Sequence, residues 1–185
     1  KVSGATSING LSDGYNVGDS VGLGTGALAN DDGTNNYNTA LGDSALNTTA
    51  SGYFNTAVGF EALKSSTAVS NTAVGYKALS ALTTGSANVA VGESAMLQAT
   101  TGGYNTASGY QAMRGLTTGD HNVAFGNAAL RTNTTGSYHI AIGKQAMNQA
   151  QGSSNNIGIG QTSLLQVTGA DNVGIGQWAA RYITS

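Results

Sequence analysis

The residues of this chain that could do acid–base, metal or nucleophilic chemistry are few and scattered. The sequence has two histidines, His121 and His139, and nine carboxylates. The histidines could lie near each other on one edge, but no third ligand follows them at a metal-ligand spacing. No carboxylates are paired for general acid–base work, and no serine or threonine has an evident His–Asp partner. We therefore expect no catalytic residue, no metal, no cofactor and no enzyme.

Glycine-rich stretches are the next candidates, because glycine loops can cradle phosphates. Two stretches are similar to such loops: Gly22-Leu23-Gly24-Thr25-Gly26 and Gly158-Ile159-Gly160. They recur with a strand period, however, and no helix follows them, so we do not expect a nucleotide site.

These glycines belong to an internal repeat that spans almost the whole chain. Its clearest copy is Asn71-Thr72-Ala73-Val74-Gly75-Tyr76-Lys77-Ala78-Leu79. Successive copies are spaced by between 16 residues (Gly59 to Gly75) and 18 residues (Gly24 to Gly42). The marker glycines are Gly24, Gly42, Gly59, Gly75, Gly92, Gly109, Gly126, Gly143, Gly160 and Gly176. A short, nearly constant period of this kind is typical of a solenoid, in which each unit buries its apolar side against its neighbours.

The first five residues of each copy alternate with a period of two, which predicts a strand. We predict an all-β fold, a parallel β-roll of about ten coils of 16–18 residues over residues 20–185, continuing beyond the C-terminal end. Residues 1–19 are less regular and are predicted to be a cap or the end of a preceding segment, with Ile8, Leu11 and Val17 buried. Branched residues such as Ile140 and Ile142 are expected to fill the lumen. Ala141 and its equivalents would then form a flat, nearly side-chain-free strip that another backbone can approach closely, either a neighbouring subunit or an inner second sheet of the same coil.

Three sets of residues are expected to form ladders along the roll: the opening asparagines, the ninth-position residues and the marker glycines from Gly42 to Gly160. An asparagine opens each copy, where its amide can hydrogen-bond from coil to coil. His139 replaces it once, and leucine or methionine recurs at the ninth position as an internal ladder. The asparagines are Asn38, Asn55, Asn71, Asn88, Asn105, Asn122, Asn156 and Asn172; the ninth-position residues are Leu46, Leu63, Leu79, Met96, Met113, Leu130, Met147 and Leu164.

Composition and charge exclude several partners. The net charge is -2, with 7 lysines and arginines, so no basic stripe for nucleic acid or anionic membranes is expected. No apolar run approaches the roughly 20 residues that span a bilayer, so we expect no membrane insertion. The chain has 28 glycines and no cysteine, which leaves only a thin core and no disulfides. Three chains packed through their small-residue strips would supply the missing burial.

Aromatic residues recur at two offsets, before the asparagine and after the glycine. Exposed aromatic faces can stack on sugar rings, so a glycan-contacting strip is one interpretation. The alternative is that these rings cover corners between coils or seams between subunits. The candidate glycan contacts are Phe60, Tyr76, Tyr104, Tyr110 and Tyr138.

Units such as Asn88-Val89-Ala90-Val91-Gly92 and Asn122-Val123-Ala124-Phe125-Gly126 resemble the head repeats of YadA-like trimeric autotransporter adhesins. The longer form, with its Tyr-Lys-Ala-Leu continuation and Thr-Thr-Gly turn, looks still more like the repeat arrays of phage tail-fibre proteins. The resemblance covers about residues 20–183. It implies a left-handed parallel β-roll assembled as a homotrimer, borne on a virion or at a bacterial surface.

We therefore predict a host-attachment segment of a trimeric phage tail fibre, acting as a rigid shaft or receptor-proximal rod. Its partners would be other fibre or tail proteins and a cell-surface glycan or protein receptor. The alternative is the head of a bacterial trimeric adhesin that binds host matrix or glycan.

Overall fold

The described residues form a single stack of coils. The computed structural model describes residues 14–17, 19–32, 34, 36–49 and 51–183. Ten short strands, one from each copy of the repeat, lie parallel and hydrogen-bonded side by side. The described part of the chain is all-β and contains no helix. The predicted β-solenoid is confirmed, with about nine full turns between the first and last of the ten strands.

An eleven-stranded sheet and a two-stranded sheet account for all strands of the described residues. In the larger sheet the strand order follows the chain from β1 to β10 and ends at β12, while β11 pairs with β13. The strands are β1 Gly14–Val17, β2 Ser20–Leu23, β3 Thr39–Leu41, β4 Thr56–Val58, β5 Thr72–Val74, β6 Val89–Val91, β7 Thr106–Ser108, β8 Val123–Phe125, β9 Ile140–Ile142, β10 Ile157–Ile159, β11 Gln166–Val167, β12 Val173–Ile175 and β13 Tyr182–Ile183.

Equivalent residues of neighbouring coils lie directly opposite each other. In the pair formed by β6 and β7, for example, Ala90 is opposite Ala107 and Val89 is opposite Thr106. The same register holds from β2 to β12. Because the parallel strands pair in the same register throughout, the residues at each repeat position form a straight column along the solenoid.

The rest of each coil is also hydrogen-bonded to the next coil. The Met96 backbone N–H donates to the Ala112 carbonyl at 3.0 Å, and the Thr100 N–H donates to the Thr117 carbonyl at 2.9 Å. Between these segments the chain turns at residues with a left-handed backbone. In one coil these are Tyr104, Gln111 and Met113, with φ of 59°, 55° and 50°. Non-glycine residues rarely adopt this conformation, so coil-to-coil bonding must hold each corner in place.

The core is a narrow lumen lined by alanine on one side and by leucine or methionine on the other. Every ninth-position leucine and methionine is fully buried, and so is the middle alanine of β4 to β9. A Cβ added to Gly22, which stands at the alanine position of β2, would lie 3.1 Å from Leu28 Cδ1. The two ladders therefore pack directly against each other.

The expected direction of the strand side chains is wrong. Ala141 is buried, whereas Ile140 is half-buried and Ile142 is 39% exposed, so the branched residues point outward and the alanines point into the lumen. The physical reason is volume: the lumen already contains the leucine and methionine ladder, and only a methyl group fits opposite it. The outer strip is consequently apolar and bulky, not flat.

The two ends of the solenoid are less regular. Gly14–Val17, expected to be irregular, form a strand that runs antiparallel to β2. The predicted burial of Ile8 and Leu11 lies outside the described residues, as does that of the Val17 side chain. At the other end Ala180 stands where earlier coils have leucine or methionine, and Trp178 is 60% exposed.

Candidate functional site

The outward side of the large sheet carries four columns of side chains. Counted from the asparagine that opens each coil, residues at offsets −1, +1, +3 and +5 point outward, while the asparagine and the alanine between them are buried. In one coil the outward residues are Tyr104, Thr106, Ser108 and Tyr110. We call these four columns the outer sheet face.

The two central columns of the outer sheet face are mostly aliphatic. Eight large apolar residues at offsets +1 and +3 are between 38% and 68% exposed: Val21, Leu41, Val89, Val91, Phe125, Ile142, Val173 and Ile175. Seven more are half-buried: Leu23, Val58, Val74, Val123, Ile140, Ile157 and Ile159. Threonine replaces the aliphatic residue at offset +1 in four coils, and only the coil of Thr106 and Ser108 has no large apolar residue at either offset. An exposed apolar strip of this length marks an interaction site.

The column at offset −1 carries a ring side chain in five of its ten coils, and neighbouring rings stack along the solenoid. The Tyr104 and His121 rings are 4.9 Å apart at 4°, and the His121 and Tyr138 rings are 5.1 Å apart at 5°. Tyr37 and Phe54 stack in the same way at 5.6 Å. His121 was not assigned to this column from sequence, although its position before Asn122 is the same as that of the tyrosines and could have identified it.

The column at offset +5 is aromatic in three coils. Phe60 and Tyr76 stack at 5.5 Å and 10°, and Lys77 Nζ lies 5.3 Å from the Tyr76 ring centroid. Tyr110 has Glu93 and Asn127 as its column neighbours, so no ring of that column covers its faces. All five candidate glycan contacts thus lie on the outer sheet face, divided between its two edges, and all are exposed.

A small charged group adjoins this second aromatic column. Glu61 forms ion pairs with Lys64 at 2.7 Å and with Lys77 at 3.4 Å. The hydrogen bond from Lys64, with that from Lys77, holds the pKa of the Glu61 carboxyl below its ordinary value. The pKa of Lys77 is raised by its interactions with Tyr76 and Glu61. Because these groups are at the surface, their contribution to stability is small.

Directly behind the face, the asparagines form a hydrogen-bonded ladder. The Asn122 N–H donates to Asn105 Oδ1 at 2.9 Å, and Asn122 Nδ2 donates to the same oxygen at 3.0 Å. Asn122 Nδ2 also donates to the Gly136 carbonyl at 3.0 Å. Each amide therefore joins two coils and satisfies buried backbone groups at the corner before the strand.

The marker glycines form a second ladder on the other side of the strand. Gly109 has a φ of 136°, and a Cβ there would lie 2.5 Å from the Gly126 carbonyl oxygen. The equivalent glycines from Gly42 to Gly160 have φ between 122° and 136°. Coils can approach to hydrogen-bonding distance at this corner only because these positions have no side chain.

The two histidines do not come together. His139 is fully buried in the asparagine ladder, whereas His121 lies at the surface between two tyrosines. Among the described residues, no group of three or more histidines, aspartates and glutamates is arranged to hold a metal ion. What this surface can offer chemically is apolar area at its centre, with ring faces, hydroxyl groups and a few charged or amide side chains, such as Glu93, Asn127 and Lys144, at its edges.

No helix among the described residues has the length and apolarity needed to cross a bilayer. Comparison of the chain with protein-family models, curated proteins and solved structures finds no match.

Proposed function

We propose that this chain is a structural and attachment segment of a homotrimeric fibre, in which the outer sheet face of each chain packs against the other two. The observation that supports this is the pair of mostly aliphatic columns, which reach from the first coil to the last and are interrupted in the coil of Thr106 and Ser108. In a single chain the exposed apolar side chains of these columns are 38–68% exposed, so each forgoes roughly half of the about 1.5–3 kcal/mol that full burial contributes.

The dimensions of the face suit such an interface. Ten coils at about 4.8 Å each, and a face about six residues wide, correspond to at most roughly 900 Å² per chain. A standard pairwise interface buries about 800 Å² on each partner, and in a trimer a chain reaches that total summed over its two neighbours. The aromatic columns at the two edges then become the seams, where rings of one chain meet the neighbouring chain.

The number three comes from the resemblance to the YadA-like heads and the phage tail-fibre arrays. A closed threefold ring is a heterologous arrangement, so one edge of each face contacts the opposite edge of the next. The differing aromatic columns at offsets −1 and +5 are compatible with this pairing.

The mechanical role follows from the ladders. Backbone bonds in three segments of every coil, together with the asparagine ladder, resist bending and shield strand edges. We place such a rod in a phage tail fibre, as a shaft or receptor-proximal segment joined to other tail proteins. The alternative is a bacterial adhesin head that contacts host matrix or glycan at the cell surface.

The test is the oligomeric state of matched variants in solution. Val91→Lys with Ile142→Lys places two charges on the outer sheet face, at residues that are each 39% exposed in the single chain. Gln98→Lys with Gln149→Lys adds the same charge to the same two coils away from that face. We expect sedimentation to give a trimer for the wild type and the control, and smaller species for the first variant. A folded wild-type monomer at micromolar concentration would refute the proposal.

Glycan contact is a second candidate, favoured at Tyr110 because no ring of its column covers its faces. Tyr110→Ala should abolish binding on a glycan array while leaving the trimer intact if the residue reads a receptor. If Tyr110 lies at a subunit seam, the same change should weaken the trimer instead.

A further inference from the structure

One rung of the asparagine ladder is a histidine, and it reproduces the bonds of the amide it replaces. The His139 backbone N–H donates to Asn122 Oδ1 at 2.9 Å, as each asparagine does to the one before it. His139 Nε2 lies 2.8 Å from the Ser153 carbonyl oxygen, and the Asn156 N–H donates to His139 Nδ1 at 3.2 Å. The ring thus uses Nδ1 in place of the amide oxygen and Nε2 in place of the amide nitrogen.

These partners determine the protonation state of the ring. A carbonyl oxygen can only accept, so Nε2 must carry a hydrogen; a backbone N–H can only donate, so Nδ1 must present its lone pair. Only the neutral Nε2–H form satisfies both bonds. A proton on Nδ1 would point at the Asn156 N–H, which is also a donor, so the hydrogen bond between them would be lost. It would also place a positive charge on a fully buried ring.

The surroundings offer nothing to stabilise that charge. The polar side chains around the ring are Asn122 from the preceding coil, Asn156 from the following coil and Asn133 in the turn that leads to His139, and all are neutral. The carboxylates nearest in sequence on either side are both exposed: Asp120, whose Oδ1 accepts the Gly103 N–H at 2.7 Å, and Asp171 in the coil that Asn156 opens. Burial accordingly holds the pKa of the His139 imidazole below its ordinary value of 6.5.

The sequence of this coil compensates for the replacement of the ladder asparagine by His139. Ser153 stands where the regular coils have glycine, and Asn156 Nδ2 donates to Ser153 Oγ at 3.1 Å. In regular coils the corresponding amide donates to the preceding asparagine oxygen, which a histidine does not have. Ser153 therefore supplies the acceptor that the histidine lacks.

We propose that His139 makes the junction between its own coil and the coil of Asn156 an acid-sensitive joint in the asparagine ladder. When the pH falls, protonation of Nδ1 breaks the bond from Asn156, and this junction opens before the other rungs do. Because the other rungs are amides and, at Ser20, a hydroxyl, none of which titrates in this pH range, the effect within the ladder is confined to this place. The inference concerns the single chain and stands whether or not the chain forms trimers.

The sign of the pH dependence follows from the lowered pKa. Above pH 6.5 the histidine is neutral both in the folded and in the open state, and the junction has its full stability. Below pH 6.5 the open state takes up a proton that the closed state rejects, so stability falls until the pH reaches the folded pKa. Over that interval the opening constant rises by up to tenfold per pH unit, as one proton requires.

Amide hydrogen exchange of the full chain between pH 7 and pH 5 tests this. After correction for intrinsic exchange, the protection factor of the Asn156 amide should fall by up to tenfold per pH unit below pH 6.5. That of the Asn122 amide, bonded to an asparagine at the same offset, should stay constant. His139→Asn, which restores the repeat, should remove the dependence, and His121→Asn at the surface should preserve it. Constant protection of Asn156 in the wild type, or a fall that persists in His139→Asn, would overturn the proposal.

Discussion

Replacement of Gly109 by alanine should strongly destabilise the solenoid, because two separate requirements at this corner exclude a side chain. The first is conformational: the φ of 136° lies in a region that residues with a Cβ rarely adopt, at a cost of about 1–3 kcal/mol. The second is steric, since the added Cβ would lie 2.5 Å from the Gly126 carbonyl oxygen, against an ordinary contact of at least 3.4 Å.

Relief of that overlap requires the two coils to separate by nearly 1 Å at the corner. The bonds that would lengthen are Gly126 N–H to the Ser108 carbonyl, now 2.8 Å, and Ala128 N–H to the Tyr110 carbonyl, now 2.9 Å. Each such bond contributes about 1 kcal/mol. Together with the backbone term, Gly109→Ala should lower the free energy of unfolding by about 3–5 kcal/mol.

Gly152→Ala is the matched control. Gly152 has a φ of 64°, and a Cβ there would meet nothing within 4 Å. Only the conformational cost of a positive φ applies, so the free energy of unfolding should fall by about 1–2 kcal/mol. Urea denaturation followed by circular dichroism, at one protein concentration for all variants, measures both losses. If Gly109→Ala costs no more than Gly152→Ala, the close approach of the coils at the glycine ladder is not what the fold depends on.

Three further outcomes follow from the ladders and the outer sheet face. Asn105→Ala leaves the buried Asn122 N–H without its acceptor and should cost about 1–3 kcal/mol in urea denaturation; a loss below 0.5 kcal/mol would contradict the ladder's role. Leu79→Ala opens a cavity at a fully buried site and should cost about 2–5 kcal/mol, whereas Leu97→Ala, half-buried in the next coil, should cost clearly less in the same experiment. Tyr76→Ala removes one ring of a stacked pair; circular dichroism should show the secondary structure of the chain unchanged, and lost secondary structure would mean that the pair supports the coil itself.

The corners were beyond prediction from sequence. Met113 and Gln111 adopt left-handed backbones with φ of 50° and 55°, which neither residue type favours on its own. They are held there by bonds to other coils, such as Met113 N–H to the Ala129 carbonyl at 2.9 Å. Such conformations depend on interactions between residues 16 to 18 positions apart, such as Met113 with Ala129 and Gln111 with Glu93, and local propensity contains no information about them.

The period, the strand positions and the two aromatic columns could be predicted from the sequence. Glycine at every marker position and asparagine four residues before most of them predicted stacked coils, and the structure places Gly109 and Asn105 in continuous ladders. The five aromatic candidates were likewise located at the surface in two columns. What they bind or contact stays a prediction, because no local feature of the chain distinguishes a subunit seam from a ligand strip.

Only the tertiary structure decided which side of each strand faces the core. Alternation in Ile140, Ala141 and Ile142 defines two faces, but it does not say which of them is inward, because both are apolar. Which face points inward is determined by the opposite side of the coil. There the buried Met147 ladder fills most of the lumen and leaves room only for alanine. The volume available inside the coil, which depends on residues distant in sequence, thus turned the branched side chains outward and created the face on which the proposed assembly depends.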